Sequence, residues 1–156
     1  MATLLRRHYQ IYIERPPEAV FAFLVELKNH ARLCPEEQKE DVAGGLNAAL
    51  TVGSLILFRS GPWGDITAEV SELEVPRAFT LSQLEGPFLS WRHRYKLTVF
   101  QQGTLLAEQY EYEPKGLALA KEKLSGGKLW DEWVGYRQSE AKKILERIGR
   151  IKGPGV

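Results

Sequence analysis

The chain holds a single cysteine, Cys34, in 156 residues. One thiol excludes an intrachain disulfide, so a reducing, cytoplasmic setting is expected. Histidine is scarce too. His8, His30 and His93 lie far apart, and with one thiol they cannot complete a zinc ribbon or finger, so no metal and no cofactor are expected. Neither charge dominates, with 21 Lys plus Arg against 20 Asp plus Glu. That balance lacks the basic excess of a general nucleic-acid or membrane-surface binder. No apolar run approaches the about 20 residues of a membrane helix, and Arg6 and Arg7 interrupt the start after two leucines, so neither stable membrane insertion nor a signal peptide is expected. Phosphate-cradling glycine patterns and the zinc-protease HExxH are missing as well. What is present is an ordinary globular balance, 44% hydrophobic and 26% charged, sufficient for one domain with a real core. A single domain over 1–150 is expected, followed by a flexible glycine-rich tail at 151–156.

The order of elements can be read from the periodicities. Tyr9, Ile11 and Ile13 alternate with His8, Gln10 and Tyr12, which predicts an opening strand over Leu5–Ile13. Pro16-Pro17 ends it and suits the first turn of a helix over about Pro17–Leu27, where Val20, Phe23, Leu24 and Leu27 recur at helical spacing. A second short helix is expected after Asn29, a plausible cap, and before Pro35. Strands follow at Thr51–Arg59, Asp65–Glu74, Phe79–Leu84, Ser90–Phe100 and Thr104–Glu113, with a weaker one near Asp41. Turn signals at Gly44-Gly45, Gly61-Pro62-Trp63-Gly64, Gly86-Pro87 and Gln102-Gly103 keep the connections short, which implies an antiparallel meander. The last element, about Gly127–Ile148, places Trp130, Trp133, Val134, Ala141, Ile144 and Ile148 on one helical stripe. The result is an α+β domain of order β-α-α-β(5-6)-α, in which one long C-terminal helix must cover a curved antiparallel sheet.

The final hairpin is the most informative stretch. A two-residue turn at Gln102-Gly103 sets Gln101 opposite Thr104, Arg94 opposite Glu111 and Arg92 opposite Glu113, two opposite-charge pairs on a wet face. The other face then carries Trp91, His93, Tyr95, Leu97 and Val99 against Tyr112, Tyr110, Glu108 and Leu106, with His93 meeting Tyr112, Tyr95 meeting Tyr110 and Leu97 meeting Glu108. An inward face with an imidazole, phenols and a carboxylate is not a plain core. Buried polar groups cost free energy unless partnered, so they call for a polar network, water or a ligand. A cavity between sheet and helix accounts for them together.

Several of these residues also carry a resemblance. Gly86-Pro87-Phe88, Trp91-Arg92-His93-Arg94-Tyr95, Gly103-Thr104, Glu108, Tyr110, Tyr112 and Pro114 to Gly116 resemble the SRPBCC superfamily, in particular its bacterial branch labelled polyketide cyclase/dehydrase or cell-division-inhibitor-related. Pro16-Pro17-Glu18-Ala19-Val20-Phe21 resembles its first helix, and Tyr136-Arg137 a recurring pair in its last. Trp63 stands before Gly64, a departure from the branch, in which a tryptophan usually leads the following strand. The resemblance implies the START-like, birch-pollen-allergen-like helix-grip fold, with an internal cavity closed by the long helix. It specifies function poorly, because the superfamily includes lipid carriers, receptors, cyclases and chaperone activators.

Three functions are therefore carried forward. The first is binding, for transport or sensing, of a small hydrophobic, aromatic or lipid-like ligand, with Trp91, His93, Tyr95, Glu108, Tyr110, Tyr112, Trp133 and Arg137 as ligand-binding candidates. The second is a cyclase or dehydratase acting on a polyketide-like substrate with His93 or Glu108 as acid or base. The third is an interaction module like the chaperone activators, which requires a filled core and an exposed apolar patch; no such surface stripe is evident in the sequence. Arg137 lies about 20° from Trp130 on the helical wheel, within the apolar stripe, and is expected to point inward to Glu108 or a ligand anion rather than snorkel to water. Cys34 with His30 is read as structural, since Pro35 breaks the local helix, and His8 as a surface residue. Pro114–Gly127, with Leu117, Leu119 and Leu124 ahead of Ser125-Gly126-Gly127, is read as a short helix over the cavity mouth or as a simple connector.

Overall fold

The structure is a computed structural model that describes residues 4–33, 40–42 and 49–152. The strands are β1 (Leu5–Ile13), β2 (Glu40–Val42), β3 (Leu55–Gly61), β4 (Gly64–Glu74), β5 (Ala78–Glu85), β6 (Phe88–Phe100) and β7 (Gly103–Pro114). The helices are α1 (Pro17–Val25), α2 (Leu27–Arg32), α3 (Gly116–Ser125) and α4 (Lys128–Lys152). The seven strands form one antiparallel sheet in the order β1-β7-β6-β5-β4-β3-β2, so the first strand closes the meander beside the last. Cys34, Pro35, the Gly44-Gly45 turn and the end of the chain beyond Lys152 lie outside the described residues.

Alternation decides the inner face. Along β6, Trp91, His93, Tyr95 and Leu97 are buried while Arg92, Arg94, Lys96 and Thr98 are exposed. Val99 has the inward parity but is exposed, because it lies past the edge of the core. α4 lays Trp130, Trp133, Val134, Ala141 and Leu145 into the same core, with Leu145 more buried than Ile144 or Ile148. It is pinned along β1 by Tyr9 Oη donating to Asp131 (2.8 Å), Lys142 to the Tyr12 carbonyl (2.7 Å) and Arg15 to the Leu145 carbonyl (3.0 Å).

Three expectations are corrected. The hairpin slides by two residues: Phe100 pairs with Gly103, so Gln101-Gln102 makes the turn and Gln101 takes a φ of 53°. Gly103 is needed in the strand instead, where a Cβ would strike the Ile13 carbonyl oxygen of β1. The slide keeps every side chain on its expected face but changes the partners. His93 now faces Tyr110, Tyr95 faces Glu108 and Leu97 faces Leu106. On the wet face Arg92 faces Glu111 and Arg94 faces Gln109, so one of the two expected charge pairings is lost and the other is exchanged. Second, α2 begins at Leu27, not after Asn29; Asn29 is a buried helix residue whose amide donates to the Phe23 carbonyl at the end of α1 (2.9 Å). Third, β3 starts four residues later than expected, since Thr51–Ser54 is a turn closed by the Ser54 amide on the Thr51 carbonyl (2.9 Å), with Gly53 at φ 91°.

Candidate functional site

The inward face of β6 and β7 carries a run of stacked rings. Phe79 of β5 stacks on Tyr95 (centroids 4.3 Å apart) and His93 on Tyr110 (4.0 Å), and the His93 and Tyr95 rings meet tilted at 4.1 Å. These contacts follow from the register, because Phe79 pairs with Tyr95 and His93 with Tyr110 on adjacent strands. Above them α4 supplies Trp130, whose ring lies 4.9 Å from Tyr110, and Trp133.

Glu108 sits within this aromatic wall, 2% exposed. The slid register makes it the diagonal neighbour of His93, so the carboxylate accepts from His93 Nε2 at 2.8 Å. Gln138 of α4 donates to its other oxygen at 2.8 Å, and the Tyr110 hydroxyl donates at 3.3 Å. Burial by itself would push this carboxyl up. The His93 hydrogen bond, the charge of Arg137 and the Gln138 amide outweigh it and hold the group below its ordinary 4.5, as the carboxylate. For His93, burial dominates and Arg137 adds to it, against the pull of Glu108, so the imidazole stays below its ordinary 6.5 and is neutral at pH 7. With its proton on Nε2, its Nδ1 is an acceptor. That atom is buried and finds no hydrogen-bond partner among the described residues, and neither does the buried Trp91 Nε1 donor.

Arg137 points inward and is 2% exposed. Its guanidinium lies 5.0 Å from the Trp133 ring centre and 5.9 Å from that of Phe58, both within cation–π range. Tyr95, Leu106, Glu108, Arg137, Gln138 and Ala141 line an internal void of about 10 Å³ between sheet and α4. The void stands where a cavity is expected, and it has the size of a single water.

All eight sequence candidates are buried, but they do not converge on one point. Tyr112 belongs to a second network. Its hydroxyl donates to Glu122 of α3 (2.7 Å), which also accepts from Arg7 of β1 (2.8 Å) and Trp130 Nε1 (3.2 Å), and Arg7 Nε in turn donates to the Tyr112 oxygen (3.1 Å). Trp130 also stacks on Trp63 at 3.8 Å. Sequence reasoning missed Gln138, Glu122 and Arg7. The first was legible in principle, one residue beyond Arg137 on the inner helix face. The others were not, since Arg7 and Glu122 meet across 115 residues of chain. His30 Nε2 is held by the Leu24 carbonyl (2.6 Å), and His8 is exposed as expected. Among the described residues no group of three His, Cys, Asp or Glu is placed to hold a metal ion, and no helix is long and apolar enough to cross a membrane.

No protein-family model and no curated protein matches the chain. Solved structures do. A norcoclaurine synthase point mutant from Thalictrum flavum, in complex with a transition-state analogue, aligns with a TM-score of 0.72 at 10% identity, covering 94% of this chain and 97% of that one. A major latex-like protein from Panax ginseng aligns at 0.67 and 14%, covering 91% and 97%. CalU16 from Micromonospora echinospora aligns at 0.60 and 14%, covering 95% and 89%. The synthase has also been captured with dopamine and hydroxybenzaldehyde, in a structure that aligns at 0.70 and 10%, covering 94% and 88%.

Proposed function

We propose, starting from the SRPBCC helix-grip fold that this chain adopts, that it binds a small planar, largely apolar molecule with one polar end between the sheet and α4. The observation that carries this reading is the Glu108 cluster: a buried carboxylate and a neutral imidazole set in a wall of aromatic rings beside a buried guanidinium. Apolar walls with a few converging polar groups are what small-molecule sites are made of. Dopamine and hydroxybenzaldehyde, the molecules held by the synthase of the same fold, have this ring-plus-polar-end form. Here the rings would supply buried area, while His93 Nδ1 would accept from a phenol or Arg137 would meet a carboxylate or phenolate. At Glu108 the void among the described residues is about 10 Å³, and in this reading the site opens further to admit the ligand. α3, which ends at the positive-φ pair Gly126-Gly127, is the element we assign to that opening. A cytoplasmic setting belongs to this reading, on the strength of the single cysteine.

A second reading is an enzyme of the cyclase or dehydratase type. It is favoured by one observation, the imidazole whose Nε2 is held by a carboxylate while Nδ1 is left to take a proton. Native mass spectrometry of gently purified protein, followed by extraction, tests binding. A bound mass released on extraction, or saturable quenching of tryptophan fluorescence by 2-naphthol, is the expected result. An apo mass together with no saturable quenching refutes the proposal. The enzyme reading further requires that His93→Gln abolish turnover while retaining affinity.

A further inference from the structure

α3 is built inside out. Its buried positions are Ala118 and the charged Glu122, one turn apart, whereas Leu117 is 70% exposed and Leu124 is 89% exposed, with Leu119 also open. Polarity usually runs the other way on a surface helix. The cause is the Arg7–Glu122–Tyr112–Trp130 network, which fixes the acid inward and turns the leucines to the outside. This is the surface stripe that the sequence did not reveal. Leu84 and Leu89, also exposed, flank the Gly86-Pro87 turn at the same end of the sheet, because Phe88 pairs with Pro114 immediately before α3.

Along α3 itself and its C-terminal flank the unmatched charges are of one sign, while Glu85 stands beside Leu84 and Glu113 two residues before Lys115. From 115 to 128 the chain carries Lys115, Lys121, Lys123 and Lys128, and its sole acid is Glu122, already buried and matched by Arg7. Of the lysines, Lys121 donates to the Pro62 carbonyl and Lys128 lies by Glu132, and Asp131 is engaged by Tyr9, so Lys115 and Lys123 carry the outward charge. The near-neutral total charge therefore conceals a local basic, leucine-bearing face. We propose that this face docks on the surface of an anionic lipid bilayer, with Leu117 and Leu124 entering the headgroup boundary and the lysines meeting lipid charge. Charge complementarity selects this occupant: a second copy of the chain would set lysines against lysines.

The test is co-sedimentation of the whole protein with phosphatidylcholine vesicles, with and without phosphatidylserine. Binding is expected only with phosphatidylserine and should weaken as salt is raised. Leu117→Asn with Leu124→Asn should lower it about tenfold or more, and Lys115→Glu or Lys123→Glu about fivefold each. These side chains lie at the surface, so the melting curve should match that of the parent protein. Three results would overturn the proposal: no binding to either vesicle, equal binding to both, or a solution dimer that the leucine variant dissolves, which would show a second copy on this face.

Discussion

Among the described residues two carboxylates are buried, and they are solved differently. Glu122 receives a permanent cation, a phenol and an indole, and it joins α3 to β1, β7 and α4. Glu108 receives an imidazole, an amide and a phenol, and the imidazole is itself titratable. In the first network the charge is balanced in place, and the Tyr112 hydroxyl, whose pKa burial raises, stays a donor. In the second the matching charge belongs to Arg137, which shares the wall of the void with Glu108. A carboxylate closed by fixed partners acts as a clamp. One whose partners hold a neutral imidazole with an open acceptor has chemistry to offer a ligand.

The largest effect should come from Arg137→Met. Removing a buried cation beside Glu108 should cost roughly 3–5 kcal/mol in urea unfolding and raise the Glu108 pKa, which carbon-detected NMR of the carboxyl would read. A neutral outcome would mean that Arg137 does not support the cluster. Next is Arg7→Met, which strands Glu122. Because Arg7 is partly solvated, the cost should be smaller, about 2 kcal/mol. Hydrogen exchange should speed up in α3 while the centre of α4 stays protected; uniform loss across the chain would remove the distinction between the two networks.

Acid should affect the Glu108 side first. His93 has a folded pKa below its ordinary 6.5, so under acid the unfolded chain binds the extra proton. Stability is then fully present above 6.5 and declines as pH falls below it; the lowered Glu108 pKa adds a further loss below its ordinary 4.5. Melting temperatures should fall from pH 6.5 to about 5, and His93→Phe should flatten that segment. A slope that survives this substitution would assign the titration elsewhere.

How much of this the sequence held depends on the range of the interaction. Alternation placed Trp91, His93, Tyr95, Glu108, Tyr110 and Tyr112 inward, because period-two burial is local to each strand. Register was misread by two residues, since Gly103 looks like a turn glycine and the reason for it is the backbone of β1, distant in sequence. The His93–Glu108 contact depends on that register, and the sequence alone offered the two only as acid/base candidates on adjacent strands. The orientation of α3 was illegible for the same cause, as the partners that hold Glu122 inward, Arg7, Tyr112 and Trp130, come from other elements. On the outer face the corrected register leaves Glu111 opposite Arg92 and 3.9 Å from Arg6, both largely solvated. Glu111→Lys should therefore cost only about 0.2–1 kcal/mol, the smallest effect of the set; a loss several-fold larger in thermal unfolding would contradict this surface assignment.

The two carboxylates are separated most directly by titrating 2-naphthol against tryptophan fluorescence in Glu108→Gln and Glu122→Gln. If Glu108 organises the binding site and Glu122 only clamps α3, affinity should fall about tenfold in the first, the loss of a charge-assisted network worth about 1.4 kcal/mol, and change less than about twofold in the second. Equal affinities in the parent protein and Glu108→Gln, with the loss confined to Glu122→Gln, would contradict the assignment.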